Sequence, residues 1–180
     1  MRKMSENLSS LRQWLLEGNF EPIIVMSEGK KRVLSFLTAL TYDKDATVSD
    51  NAIKAMGLAA KSIAKRDPEY IRNYLLRLFW LVNDESGGIG WRAPEMIGEI
   101  LYNCPRFVQF FPLLISLLDL ETEDAPRFRT GTLWAIGRVA QVNRRGMLLA
   151  LPHVQTFTTN NENTNTKEMA VWCVKQLTLE

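Results

Sequence analysis

Gly57, Gly98 and Gly137 stand 41 and 39 residues apart, each inside a stretch of small and apolar residues. Aligned on them, "VSDNAIKAMGLAA" (48–60), "IGWRAPEMIGEIL" (89–101) and "FRTGTLWAIGRVA" (128–140) fall into register. A further copy, "TKEMAVWCVKQLT" (166–178), follows 38 residues later with Lys175 in the glycine's place. A period near 40 residues confines the chain to repeat architectures, in which each unit buries its apolar face by stacking on its neighbours.

The copies agree position by position. Five residues before the anchor stand Ala52, Ala93, Thr132 and Ala170; two before, Ala55, Met96, Ala135 and Cys173; one before, Met56, Ile97, Ile136 and Val174; two after, Ala59, Ile100, Val139 and Leu177. Offsets −5, −2, −1 and +2 trace one face of a helix at 3.6 residues per turn, so each copy predicts an amphipathic helix B. Ahead of each lies an apolar segment ending in polar or acidic residues: 32–45, 70–85, 110–124 and 149–163. Leu75, Leu78, Phe79 and Val82 repeat the helical stripe, so the unit reads as helix A, polar turn, helix B.

These residues resemble the HEAT-like (armadillo-type) helical repeat family. Its unit carries an apolar first helix with Pro-Leu-Leu, an acidic turn, then Val-Arg and an Ala-rich second helix with Leu-Gly. "FPLLISLLDLETEDAPRFRTGTLWAIGRVA" (111–140) is similar along its length, and "LPHVQTFTTNNENTNTKEMAVWCVKQL" (151–177) is a weaker copy. Arg129 stands where the family's arginine does, whereas extra glycines at 86–92 displace Arg92 by two places. The resemblance implies an all-α fold, a right-handed α-α superhelix (solenoid) of about four HEAT-like helical hairpins. It says little about function, because this architecture hosts scaffolds, importers, lyases and DNA repair glycosylases.

The amino-terminal segment is read separately. Leu8, Leu11 and Leu15 form a stripe over 5–17, with Ser5 as N-cap and Gly18-Asn19 as the stop, and a second short helix is expected near 20–28. Residues 1–29 are therefore expected to form an N-terminal helical cap, and 30–180 the repeat domain.

The chain has 180 residues with a net charge of +2, which gives no overall bias toward nucleic acid or an anionic surface; such binding would have to rest on a local patch. No stretch approaches a membrane span, and the first residues lack the apolar core of a signal peptide. The expectation is a cytoplasmic protein without a membrane partner. Cys104 and Cys173 lie alone among apolar residues, which favours buried free thiols over a disulfide or zinc site. His153 is the single histidine, so a histidine triad or zinc site has no material to be built from. The basic runs 29–32 and 143–145 fall at a helix start and an inter-repeat turn, where solvated charge is usual.

One motif points elsewhere. Gly88-Ile89-Gly90-Trp91-Arg92-Ala93 matches the G-x-G-x-x-[G/A] dinucleotide fingerprint, which requires a buried strand before it and an acid about 20 residues beyond. The preceding residues 70–82 have helical periodicity, and Asp119 is accounted for as the end of the next helix A. The glycines are expected to enlarge a turn, and no cofactor is expected.

The face opposite the core, at offsets −7, −3, +1 and +4, supplies the candidate site. It holds Asp50, Lys54, Leu58 and Lys61, then Trp91, Glu95, Glu99 and Tyr102, then Thr130, Trp134, Arg138 and Gln141, then Glu168, Trp172 and Gln176. A large aromatic at helical spacing is often core, but Trp134 and Trp172 share one offset and Trp91 lies one turn earlier. Aromatic and arginine side chains also anchor interfaces. The expected partner-binding residues are Trp91, Glu95, Glu99, Tyr102, Trp134, Arg138 and Trp172 in the concave groove of the B helices, with no catalytic residue and no metal. Two readings remain: a non-catalytic interaction or scaffold module for another protein or peptide, and an enzyme resembling the HEAT-like DNA alkylation repair glycosylases, where aromatics would hold a cationic base. Acids on the stripe offset its cations, which weighs against nucleic acid.

Overall fold

The computed structural model describes residues 2–83, 90–120, 125–159 and 163–179. Among the described residues there are ten α-helices, a few 3-10 turns and no strand. The chain divides into two compact units, 1–73 and 74–180, with the division inside the helix Pro68–Asn83.

In the first unit α1 (Arg2–Leu16) and α2 (Glu21–Gly29) form a hairpin, followed by α3 (Val33–Leu40) and α4 (Ala46–Ala64). Ser5 lies inside α1 rather than capping it, because the helix extends three residues further back. Its other end is as expected: Gly18 takes the left-handed conformation at φ 67, which a side chain disfavours, and the Asn19 amide closes on the Trp14 carbonyl at 2.8 Å. Asp45 caps α4, its carboxylate accepting from the Thr47 amide at 2.9 Å. Asn51 on α4 donates to the Leu15 carbonyl at 2.8 Å, tying the first hairpin to the first repeat. Arg12 pairs with Asp43 at 2.9 Å, and Lys31 with Asp67.

The second unit holds the remainder of α5 (Pro68–Asn83), then α6 (Ala93–Asn103), α7 (Phe111–Ser116), α8 (Ala125–Met147), α9 (Leu151–Thr159) and α10 (Thr164–Thr178). Pro94 opens α6, where its missing amide hydrogen costs nothing, and Asn163 caps α10 by accepting from the Thr166 amide at 2.9 Å. α8 packs between α6 and α10. Phe79 stacks on Phe110 with centroids 5.8 Å apart, joining α5 to the turn before α7.

The repeat register is the core. Every residue at offsets −5, −2, −1 and +2 is buried except Val174, which is half-buried. Leu75, Leu78, Phe79 and Val82 are buried as their stripe requires. The anchor glycines lie inside α4, α6 and α8. A β-carbon on Gly98 would stand 2.7 Å from the β-carbon of Ala135 and 2.8 Å from its α-carbon, so α6 and α8 approach backbone to backbone there. Gly88 and Ile89 of the fingerprint lie outside the described residues. The element before it is helix α5, not a strand, and Gly90 is held close beneath the Leu81 carbonyl, where a β-carbon would collide at 2.5 Å.

Candidate functional site

The helices α6, α8 and α10 carry the stripe opposite the core. Glu99 lies mid-helix on α6 and, expected on an open face, is only 2% exposed. Burying a carboxylate is costly unless it is paired, and both of its oxygens are paired. The Arg138 Nε of α8 donates to Oε1 at 2.8 Å, and Asn103 Nδ2 donates to Oε2 at 3.0 Å. The Arg138 guanidinium also lies over the Tyr102 ring, 3.5 Å from its centroid, and donates to Gln141 Oε1 at 2.8 Å. Gln141 in turn donates to Gln176 Oε1 on α10 at 3.2 Å. A polar strip thus crosses all three helices at offsets +1 and +4. It is legible in outline, since these positions align when the repeats are stacked.

Glu95, a turn earlier on α6, is drawn inward as well. Arg92 Nη1 donates to its Oε1 at 3.1 Å, and the carboxylate rests on Gly131 of α8, where a β-carbon would stand 2.6 Å from Oε2. Gly131 was missed as a site residue; a glycine six places before the anchor, in one repeat alone, was the available signal.

The tryptophans differ among themselves. Trp91 immediately precedes α6 and is 45% exposed. Trp134 is half-buried on α8. Trp172 is half-buried on α10, its ring set so closely on Gly137 that a β-carbon there would collide with Cζ3. It therefore packs against the preceding helix B. Beside it opens a shallow depression of 390 Å³ lined by Thr130, Asn165, Glu168, Met169 and Trp172. Glu168 is exposed at its rim, and Thr130 and Thr166 share a hydroxyl hydrogen bond of 3.0 Å.

Other candidates are placed away from this face. Cys104 and Cys173 are buried free thiols, and burial pushes the Cys173 thiol up to about 12. His153 sits on the surface 3.6 Å from Asp119. Arg129 stacks on Phe157 at 5.1 Å, giving that arginine a packing role between α8 and α9. Among the described residues no group of three histidine, cysteine or acidic side chains is arranged to hold a metal ion, and no helix is long and apolar enough to cross a membrane.

Such stacked hairpins with buried glycine contacts define a helical-repeat protein, and comparison with known proteins agrees. A designed armadillo repeat protein in complex with the peptide (KR)4 matches with a TM-score of 0.54 at 17% identity, over 96% of this chain and 90% of that one. An engineered protein matches with a TM-score of 0.51 at 13% identity, over 95% and 81%. The chain has the α-α solenoid fold of armadillo-type repeat proteins. No protein-family model matches it. An uncharacterized protein of Archaeoglobus fulgidus is 35% identical over 111 residues, 61% of this chain and 55% of that protein, so the chain spans about half the length of this relative.

Proposed function

We propose that the chain is a non-catalytic interaction module that takes a segment of a partner protein along α6, α8 and α10. The observation that carries this reading is the internal pairing of Glu95 and Glu99. With both acids held by arginines, the face offers aromatic surface at Trp91, Trp134 and Trp172, the amides of Gln141 and Gln176, and the exposed carboxylate of Glu168. Aromatic rings and adaptable amides suit a peptide, and the two acids at the centre of the face, Glu95 and Glu99, are taken up by arginines rather than turned to a substrate. Trp172 beside Glu168 adds a preference for a cationic side chain in the partner segment, through ring-face attraction and ion pairing. The fold neighbour solved with (KR)4 is consistent with that choice.

The test is capture of a peptide library on immobilised protein, repeated with Trp172→Ala and Trp134→Ala. Loss of cationic peptides by about 2 kcal/mol or more in the tryptophan variants supports the reading. The fold control is Ile136→Ala, a core truncation expected to cost about 2–5 kcal/mol of stability. Tryptophan variants as unstable as this control, or peptide binding that ignores them, would rule the reading out.

A further inference from the structure

The turns that lead from a helix B to the next helix A gather at one end of the second unit. Arg144 Nε donates to the Gln176 carbonyl at 3.3 Å, bringing the end of α8 beside the end of α10. At Asn143 the helical path of α8 breaks, with φ −146 and ψ 66, and the Asn143 side chain accepts from the Gly146 amide at 3.0 Å. Gly146 then sits on the ring of Phe111, where a β-carbon would approach to 2.7 Å, which places this turn against the start of α7 and next to the Pro105–Phe110 turn. Three chain segments therefore meet at one edge.

The side chains they expose are of two kinds. Arg106, Arg144 and Arg145 are exposed cations, while Val108 and Leu148 are 49% exposed and Leu149 78%. The turns that meet at this edge, 103–110, 143–150 and 176–179, contain no aspartate or glutamate; a nearby exposed acid is Asp119, 3.6 Å from His153 of α9. The net charge of +2 conceals the arrangement, because it averages this end with acids elsewhere.

We infer that this edge is a seat for an anionic lipid surface, with the arginines among the headgroups and Val108, Leu148 and Leu149 in the outer acyl region. The inference is independent of the peptide groove. Arginine next to exposed aliphatic side chains is the composition of interfacial binding, in which apolar insertion and attraction to anionic lipid act together. A nucleic acid would use the cations but leave the aliphatic side chains in water, since single strands are held by exposed aromatic platforms, and Phe107 and Phe110 are buried here. An acidic peptide would need a groove, whereas Leu148 and Leu149 stand on a turn tip, the form that meets a plane. The expectation of no membrane partner rested on net charge and on the lack of a spanning segment, and neither describes a surface assembled from turns.

The experiment is sedimentation of the whole chain with vesicles of phosphatidylcholine alone or with about 30 mol% phosphatidylserine, at salt of about 0.1 M. Each basic side chain near an anionic leaflet contributes about fivefold in partitioning. The chain is expected to prefer the phosphatidylserine vesicles by about tenfold or more. Arg106→Glu/Arg145→Glu and, separately, Leu148→Ser/Leu149→Ser are each expected to reduce that partitioning by about tenfold, with unchanged helical circular dichroism. If the double leucine variant does not fold, Leu149→Ser alone carries the test. Absence of binding, equal binding to both vesicles, or insensitivity to the leucine substitutions overturns the proposal. Tighter binding to a single-stranded oligonucleotide that the leucine variants leave intact would overturn it too, and assign the edge to nucleic acid.

Discussion

The Trp172 ring of α10 packs against Gly137 of α8, near enough that no side chain fits between them. The equivalent glycine of the preceding repeat, Gly98, faces Ala135 instead. The two contacts have different consequences, because an indole can swing outward and a backbone cannot. Gly98→Ala is expected to destabilise the protein by about 1–3 kcal/mol through overpacking, despite a gain of about 1 kcal/mol in helix propensity. Gly137→Ala is expected to cost less and to shift the tryptophan emission as the Trp172 ring is displaced. Urea unfolding of the two variants compares them; a more stable Gly98→Ala would contradict the close helix approach.

The Glu99–Arg138 pair is a structural bridge between α6 and α8. Arg138→Met removes the arginine from the buried carboxylate and is expected to cost about 3 kcal/mol. Adding Glu99→Met should recover most of that loss, since removing both charges removes the desolvation penalty as well. Thermal melts of the single and double variants measure the recovery; additive losses would mean that the pair is not coupled.

In the first unit, the hydrogen bond from Arg12 holds the Asp43 carboxyl below its ordinary value, and Lys31 does the same for Asp67. A depressed carboxylate favours the folded state fully above the unfolded value of about 3.9, and the contribution is lost as pH falls through the lower folded value. Stability should therefore decline on acidification below about pH 4, with a shallower decline in Asp43→Asn. Urea midpoints taken down that range, wild type beside variant, give the comparison; parallel slopes would remove Asp43 from the account.

Cys173 has the opposite sign. Burial raises its thiol to about 12, so the folded protein keeps the proton that the unfolded chain releases near pH 8.5. Its contribution to stability is complete below that lower value and is lost as pH rises toward the folded one. Cys173 should resist a maleimide at pH 8 in native protein and react once urea unfolds it, which mass spectrometry of the labelled peptide reads directly. Rapid native labelling of Cys173 would show that the α8–α10 contact opens.

How far the chain could be read beforehand depended on which forces repeat. The spacing of Gly57, Gly98 and Gly137 and the small residues around them record a packing demand imposed again in each unit, so helix order, register and core followed from sequence. The same logic placed Glu99, Tyr102 and Arg138 on aligned offsets, and there the structure joins them. Ser5 misled because a serine's capping ability does not stop a helix from starting earlier.

Tertiary structure decided which stripe residues face solvent. Helical periodicity assigns a direction around one helix, but burial depends on what the neighbouring helix puts opposite. Gly131 leaves a seat that Glu95 fills, Arg138 draws Glu99 into the interior, and Gly137 lets Trp172 approach the backbone of α8. Gly131 and the two ion pairs do not repeat across the units, and Gly137 repeats Gly98 in position but not in what it meets, so no periodic signal carries these contacts. The gathering of Arg106, Arg144 and Leu149 at one edge is of the same kind: residues far apart in sequence become one surface because three turns pack together, a relation that exists only in the folded chain.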